Sequence, residues 1–418
     1  MTQPIEKTKP IIGPDVTAQL ASDIRALAAL ERPSASPGEH AAARWLQGRL
    51  SAMGLSAQIE RFQFNPDYWS VWGAHAFLSA AAAALVLSRR RVRRAALAIS
   101  VLTAVSFWGE LTARLFLLRR LMPARASYNV LARLSDDGES PVLIVSAHHD
   151  APRSGVIFHP RVPQLLPSRL RSLAEPASAL RAPFAGMLAV ALGAAAHSCN
   201  LQRRFARWLL MLGGLINAGV LVLMRNVARA PLSPGANDDA SGVAVLLALA
   251  QRYSREPPAN LNVWFLSTGS EEGMLGGMQA FLSQHRRELE RRRVCVLNLE
   301  VLGSGRPVYI EGEGYLGWRP YQGELLSLAR ELSRRPPFEQ VEPWTRPPFV
   351  TDALAAARRG IPALTIASVD RDSRVSHYHW RTDLPEHIDL ASVEGAYDLC
   401  RELVRRLAMG PPGRRRRP

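Results

Sequence analysis

The chain has 418 residues, of which 47% are hydrophobic, and a formal net charge of +16. This composition is ample for a folded core and excludes a disordered protein. A basic chain can bind nucleic acid, but this sequence has no aromatic-studded basic face and no zinc-finger spacing. Its densest arginine runs flank apolar segments. We therefore expect a lipid bilayer as a partner and no nucleic acid. Three separated cysteines, Cys199, Cys295 and Cys400, exclude a disulfide framework and a CxxC metal site.

The N-terminal region predicts an ordinary α/β arrangement. Its first residues lack the apolar core of a secretory signal peptide, so we expect any membrane insertion to be driven from inside the chain. Apolar residues at helical spacing predict helices over residues 15–30 and 38–53, and the alternating segment 56–64 predicts a strand.

Two pairs of apolar runs interrupt this pattern. Residues 69–88 carry no charge and are close to the ~20 residues that span a bilayer core; an arginine-rich turn follows, and residues 95–109 resume the apolar run. Residues 182–198 and 208–224 form a second pair around a turn that contains Arg203, Arg204 and Arg207. Each pair predicts a helical hairpin.

A membrane location of these hairpins competes with burial in the core of a large α/β domain. The alanine-rich runs fit burial, whereas the arginine-rich turns and the positions of Trp69, Trp72 and Trp208 are typical of membrane interfaces. We expect membrane hairpins.

The rest of the chain alternates strands with helices. The patterns predict strands over residues 126–134, 142–146, 262–267, 294–300 and 362–366, and helices over 241–253, 274–288, 321–333 and 390–407. We therefore expect an α/β fold, a three-layer α/β/α sandwich with a central mixed, mostly parallel sheet, interrupted by the two hairpins. The catalytic domain would comprise 1–66, 125–158 and 233–410, with insertions at 67–124 and 159–232 and a basic disordered tail at 411–418.

The segment WFLSTGSEEGMLGG, residues 264–277, begins with a predicted buried strand, and two adjacent glutamates, Glu271 and Glu272, follow the end of that strand. Like charges at such a position cost several kcal/mol unless a metal ion or a shared proton compensates them. The alternative is a solvated helix start, where glutamate is favoured.

Four further segments place potential metal ligands beside predicted strands. They are SAHHD with His148 and Asp150, PGANDDASG with Asp238, LNLE with Glu300, and SHYHWRTD with His377 and His379. Each has an ordinary alternative, such as a helix cap, a solvated strand end or a surface histidine. Five such segments in one domain favour a metal centre.

In their order and their residues, these motifs resemble those of the co-catalytic zinc aminopeptidases of the M28 type. The resemblance covers most of the chain outside the hairpins. The resemblance implies two zinc ions, one bound by His148 and Glu300, the other by Glu272 and His379, with Asp238 bridging them. It also implies that Glu271 is the general base and that Asp150 orients His148. A serine mechanism is disfavoured, because STGSEEG lacks the GxSxG elbow.

Three features depart from the family pattern. Glu300 stands where many relatives have Asp. About ninety residues, including a hairpin, separate Asp150 from Asp238, although loops tolerate such insertions. His377 could compete with His379 as a ligand; the family's form favours His379, and His149 and His159 are expected to be non-ligands.

The resemblance and the two expected membrane hairpins together predict a membrane-anchored, multi-pass zinc exopeptidase that acts on free amino termini of peptides or proteins. The alternatives are a glutaminyl-cyclase-like aminoacyltransferase and a non-catalytic receptor or scaffold. Aromatic residues of the segment 312–349, namely Tyr315, Trp318, Tyr321 and Trp344, are either pocket walls or core. Arginines in the hairpin turns favour an extracytoplasmic catalytic domain, whereas arginines such as Arg114, Arg119, Arg125 and Arg229 on the domain side argue against it.

Overall fold

The computed structural model describes residues 14–88, 90–162, 176–199, 201–345 and 347–410. Its α-helices are α1 (Pro14–Ala28), α2 (Pro37–Ala52), α3 (Tyr68–Ser88), α4 (Arg93–Leu111), α5 (Leu117–Arg120), α6 (Pro176–Ser198), α7 (Arg203–Arg229), α8 (Ser241–Arg255), α9 (Gly276–Gln284), α10 (Arg286–Leu289), α11 (Glu324–Leu332), α12 (Asp352–Arg358) and α13 (Leu390–Met409). The N-terminal residues 1–13 and the predicted tail 411–418 lie outside the described residues.

The strands are β1 (Ser56–Phe64), β2 (Arg125–Arg133), β3 (Val142–His148), β4 (Asn262–Thr268), β5 (Val294–Leu299), β6 (Arg306–Ile310), β7 (Gly312–Glu313), β8 (Arg319–Pro320), β9 (Glu342–Trp344) and β10 (Ala363–Val369). Within the described ranges, eight of them form one mixed sheet in the order β1-β2-β4-β3-β5-β10-β6-β9. The central strands β4, β3, β5 and β10 are parallel. Strand β2 runs antiparallel to both β1 and β4, whereas β6 runs antiparallel to β10 and parallel to β9.

The centre of the sheet is buried on both faces. Every residue of β3 and β4 is buried, as expected for parallel strands that helices cover on either side. Helices α1, α8 and α13 pack with one another, and α9 packs against α12. These flanking helices and the mixed sheet confirm the predicted α/β fold class.

The acidic pair does not begin a helix, because the chain turns sharply after it. Met274 and Leu275 have positive φ angles of 86° and 61°, and helix α9 starts only at Gly276. The helix predicted over 274–288 is therefore wrong at its start, and it is also broken before α10. Glu271 is buried at this turn, which excludes a solvated helix start.

Four of the helices, α3, α4, α6 and α7, pack into one bundle beside the sheet, so the two predicted hairpins are not separate. Small residues allow the close approach of α6 and α7: a Cβ atom on Gly213 would lie 2.5 Å from the carbonyl oxygen of Gly186. A buried ion pair joins Glu110, near the end of α4, to Arg119 of α5.

Three of these helices, α3, α4 and α7, are long and apolar enough to cross a membrane among the residues that the structure describes. The outer surface of the bundle carries large exposed apolar side chains, including Phe77, Val101, Leu102, Leu192, Trp208, Leu215 and Val222. Trp208 is 71% exposed, but Trp72 is only 5% exposed, so the expectation of an interfacial position is wrong for Trp72.

Candidate metal centre

The centre is built at the carboxyl ends of three neighbouring parallel strands. His148 is the last residue of β3, Glu271 and Glu272 follow β4, and Glu300 directly follows β5. Strand β3 pairs in parallel with both β4 and β5, so these side chains meet at the same edge of the sheet.

Two loops add the remaining predicted ligands. Asp238 belongs to the turn Ala236–Ala240 that precedes α8, and its backbone leaves the helical region with φ −113° and ψ 86°. His379 lies in the loop between β10 and α13 with a φ of 50°. The structure thus brings His148, Asp238, Glu272, Glu300 and His379 together.

The carboxylate of Asp238 lies between the two histidines. Its Oδ1 atom is 3.2 Å from Nε2 of His148, and its Oδ2 atom is 3.2 Å from Nε2 of His379. Each histidine has a glutamate as its second neighbour: Glu300 Oε1 lies 3.4 Å from His148 Nε2, and Glu272 Oε2 lies 3.2 Å from His379 Nε2. The donors therefore form two groups that share Asp238.

These separations fit zinc. Ligand atoms at about 2.0–2.1 Å from a tetrahedral zinc ion lie roughly 3.3 Å from one another. The four donor contacts of 3.2–3.4 Å match this spacing. Three buried donor atoms, His148 Nε2, Asp238 Oδ2 and Glu272 Oε1, have no hydrogen-bond partner among the described residues, which is unusual for a buried polar atom and leaves them available to a metal ion.

Asp239, the neighbour of Asp238, also lies at the centre and forms a compact acidic group with His148 and Glu300. Its oxygens, however, already accept backbone N–H groups. Oδ2 accepts from His148 at 3.2 Å, and Oδ1 accepts from Gly242 and from Val301, both at 3.1 Å. Asp239 thus caps the start of α8 and fixes two of the strand ends.

Asp150 links the two halves of the centre. Its Oδ1 atom lies 3.4 Å from Nδ1 of His148, and its carbonyl oxygen lies 3.1 Å from the same nitrogen. Its carboxylate also accepts the backbone N–H groups of Glu271 at 3.1 Å and of Glu272 at 3.2 Å. Ser34 donates to it at 2.5 Å. The orientation of His148 and the position of the acidic pair therefore depend on one carboxylate.

Glu271 differs from the other acidic residues of the centre, because it forms no ion pair with either histidine within the described residues. It is 7% exposed, and its side chain lines the cavity beside the centre. Burial raises the pKa of the Glu271 carboxyl well above its usual value, and the neighbouring Glu300 adds to this. Burial thus makes the Glu271 carboxylate a stronger proton acceptor than an exposed glutamate, which suits a group that takes up and returns a proton.

Two residues that support the centre were not identified from the sequence as site residues. Arg32 is buried and donates to the carbonyl oxygens of Pro234 and Gly235, both at 2.6 Å, which fixes the loop that carries Asp238. Asp383 accepts the backbone N–H of Asn237 at 2.7 Å and of Asp238 at 3.1 Å. Burial raises the pKa of Asp383 to about 7.

The other histidines of the motifs have partners elsewhere. Nδ1 of His377 lies 2.6 Å from the Thr382 hydroxyl, and its ring stacks on His387. His149 contacts the Ser267 hydroxyl, and His159 packs edge-on against Trp380.

A cavity of about 70 Å³ adjoins the centre. Besides acidic residues and His379, it is lined by Tyr68, Trp72, Ile157, Phe158, Met274, Leu275, Tyr315, Phe349, Val350 and Tyr378. Of the aromatic residues considered from the sequence, Tyr315 is a wall residue, Tyr321 and Trp344 belong to the core, and Trp318 is exposed.

Residues 222–404 match the family model described as Peptidase family M28. A probable zinc metalloprotease from Pyricularia oryzae is 40% identical over 72 residues, which are 17% of this chain and 14% of that protein. A vacuolar membrane protease from Lachancea thermotolerans is 38% identical over 85 residues, or 20% of this chain and 8% of that protein. The similarity thus spans a small part of the length of these relatives.

Solved structures share the fold over nearly the whole chain. BSAP, a zinc aminopeptidase from Bacillus subtilis, superposes with a TM-score of 0.53 at 12% identity, over 93% of this chain and 94% of that chain. A glutaminyl cyclase from an Acidobacteriales bacterium gives 0.52 at 13% identity, over 97% and 98%. At 12–13% sequence identity, these superpositions support the fold alone, and the aminopeptidase and the glutaminyl cyclase share that fold.

Proposed function

We propose that this chain, whose residues 222–404 match the model of Peptidase family M28, is a membrane-anchored zinc aminopeptidase that removes residues from peptides with a free amino terminus. The observation that carries the proposal is the position of Asp238, whose two oxygens face two different histidines. His148 with Glu300, and His379 with Glu272, complete a donor set for two zinc ions.

When bound, zinc ions at this site would make water more acidic and polarise the scissile carbonyl group. The proton transfers fall to Glu271, which accepts a proton from the attacking water and returns it to the leaving amine. The Asp150 carboxylate accepts the backbone N–H of Glu271, which positions that residue, and it also orients the ring of His148. Asp150 thereby fixes the position of Glu271 relative to His148.

The membrane anchor in this proposal is the bundle of α3, α4, α6 and α7. Three of its helices have the length and composition of membrane spans, and its outer side chains are large and apolar. An apolar surface of this extent on a soluble protein would favour association with other molecules. One similar protein is named a vacuolar membrane protease, which agrees with an anchor.

We place the catalytic domain on the extracytoplasmic side in this proposal. The arginines on the domain side argue against that orientation only if they are free to interact with lipid. One of them is not free, since Arg119 pairs with Glu110 inside the bundle. The arginines of the distal turns then have more weight under the positive-inside rule.

The test is hydrolysis of chromogenic aminoacyl substrates by the detergent-solubilised protein, with amino-acetylated substrates as the matched control. We expect turnover of the free substrates only. Turnover of both sets would exclude an aminopeptidase. Cyclisation of an amino-terminal glutamine without hydrolysis would favour the glutaminyl-cyclase alternative, and zinc binding without turnover would favour a receptor or scaffold.

A further inference from the structure

The first helix of the bundle reaches the candidate active site. We propose that Tyr68 and Trp72 of α3 form a wall of the pocket that binds the first side chain of the substrate, and that their polar atoms bind a carbonyl oxygen of the peptide. This inference rests on the proposed peptidase function and adds a substrate class, peptides that begin with an aliphatic residue of the size of leucine or methionine.

Tyr68 and Trp72 lie one turn apart at the start of α3 and are almost completely buried. Both line the same cavity as Glu271 and Asp238. Their rings pack together with centroids 5.1 Å apart, and Phe107 of α4 supports Trp72 edge-on at 6.0 Å. The helical bundle therefore fixes the two rings beside the candidate centre.

The polar atoms of these two side chains lack partners. Tyr68 Oη and Trp72 Nε1 are buried, and neither has a hydrogen-bond partner within the part of the chain that the structure describes. Buried tyrosine hydroxyl and indole N–H groups ordinarily find one. Both can donate, and a peptide carbonyl oxygen bound in the cavity supplies the missing acceptor.

A segment that is attached to the second pair of bundle helices also lines the cavity. Phe158 precedes α6 in the chain and packs its ring 4.5 Å from the ring of His379. This segment is fixed to the bundle, because the backbone N–H of Val156 donates to Asn226 of α7 at 2.8 Å. The bundle thus shapes the pocket from two sides and does more than attach the domain to a membrane.

The size of the cavity limits the side chain that it can hold. A group of the size of a water molecule needs roughly 10–15 Å³, so about 70 Å³ accommodates about five such groups. A leucine or methionine side chain has four non-hydrogen atoms, whereas phenylalanine has seven. Because the described lining carries no charged residue outside the candidate metal centre, a charged side chain would lose its hydration without gaining an ion-pair partner.

The test compares kcat/KM for alanine, leucine, methionine, phenylalanine and lysine p-nitroanilides. Wild type should prefer leucine and methionine. Trp72→Ala enlarges the pocket and should shift the leucine-to-phenylalanine ratio at least about 10-fold toward phenylalanine. Tyr68→Phe, which removes only the hydroxyl, should lower kcat/KM roughly 3- to 10-fold for every substrate without changing their order.

Trp69→Phe and Trp72→Phe form a matched pair on the same helix, and they replace Trp72→Ala if that variant does not fold. Trp69 does not line the cavity, so its variant should keep the wild-type profile, whereas Trp72→Phe should change it. Hydrolysis with the same substrate order in every variant would overturn the pocket assignment and leave the peptidase function intact.

If wild type hydrolyses none of the substrates, the proposed peptidase function is wrong. The pocket assignment can then be tested separately by measuring amide binding with calorimetry. Leucinamide that binds more tightly than glycinamide, with the difference lost in Trp72→Ala, would support the pocket. Equal binding of the two amides would overturn it.

Discussion

The candidate metal centre and the helical bundle are held in place by different interactions. At the centre, buried carboxylates accept backbone N–H groups: Asp150 fixes Glu271, Asp239 fixes His148, and Asp383 fixes Asp238. In the bundle, close contacts between small residues such as Gly186 and Gly213 bring the helices together. Hydrogen bonds specify atom positions, whereas apolar packing specifies shape and volume.

Single substitutions should therefore have different effects in the two regions. A change of one atom at the centre should affect chemistry and leave folding intact, whereas the bundle should respond to lost volume or to an unpaired buried charge. The two regions meet at Tyr68 and Trp72, so substitutions of these two bundle residues should change the kinetics of hydrolysis.

The largest effect is expected from Glu271→Gln, which removes a proton acceptor and keeps the shape of the side chain. Hydrolysis should fall by about 10²- to 10⁴-fold, while the bound zinc is unchanged, because Glu271 is not among the proposed ligands. Steady-state kinetics and metal analysis of the same sample measure both quantities. Glu290→Gln, an exposed change, is the control. A Glu271→Gln enzyme with wild-type turnover would contradict the assigned role.

In the bundle, Arg119→Met should destabilise the fold by about 3–5 kcal/mol, because it leaves the Glu110 carboxylate buried without its partner. Arg125→Met removes an exposed pair with Asp67 and should cost less than about 1 kcal/mol. Denaturant unfolding in detergent compares the two variants. Equal losses would mean that the buried pair does not stabilise the bundle.

A smaller, pH-dependent effect is expected at Glu313, a buried acid outside the metal-binding groups. Burial raises its pKa from 4.5 to about 7, and it accepts hydrogen bonds from Thr351. Folding therefore favours the protonated form, so its contribution is complete below pH 4.5 and is lost as the pH rises through about 7. A shift of this size corresponds to roughly 3 kcal/mol.

Glu313→Gln should remove this contribution to the pH dependence of unfolding, since glutamine keeps an acceptor for the Thr351 N–H and does not titrate. Unfolding free energies at pH 5 and pH 8 measure the difference. A slope identical to that of wild type would show that Glu313 is ionised throughout the range.

The strands that carry the centre could be predicted because their residues are continuously apolar and end in polar motifs. The segments that end in His148 and Glu300 have this form. The choice of Asp238 over Asp239 came from the family resemblance, since composition alone makes either one a helix cap. The short strands β6 and β9 were missed, because Pro307 and Pro343 disrupt the pattern of a strand.

The inward position of Trp72 could not be predicted, because α3 is apolar on all sides and its sequence does not indicate a face. Arg32 was missed for another reason. It donates hydrogen bonds to the carbonyl oxygens of residues about two hundred positions away in the sequence. A local sequence pattern cannot predict a contact that forms only when the chain folds. Helix existence was therefore predictable, but the surface that each helix presents was not.

The number of zinc ions bound per chain decides whether Asp238 bridges a zinc pair. Purified protein, dialysed against zinc and analysed by mass spectrometry, should hold two zinc ions per chain, and Asp238→Ala should hold none or bind them only weakly, because both groups share this carboxylate. Asp372→Ala, a change in an exposed loop, should retain two. Two tightly bound ions in Asp238→Ala, or none in wild type, would contradict a zinc pair bridged by Asp238.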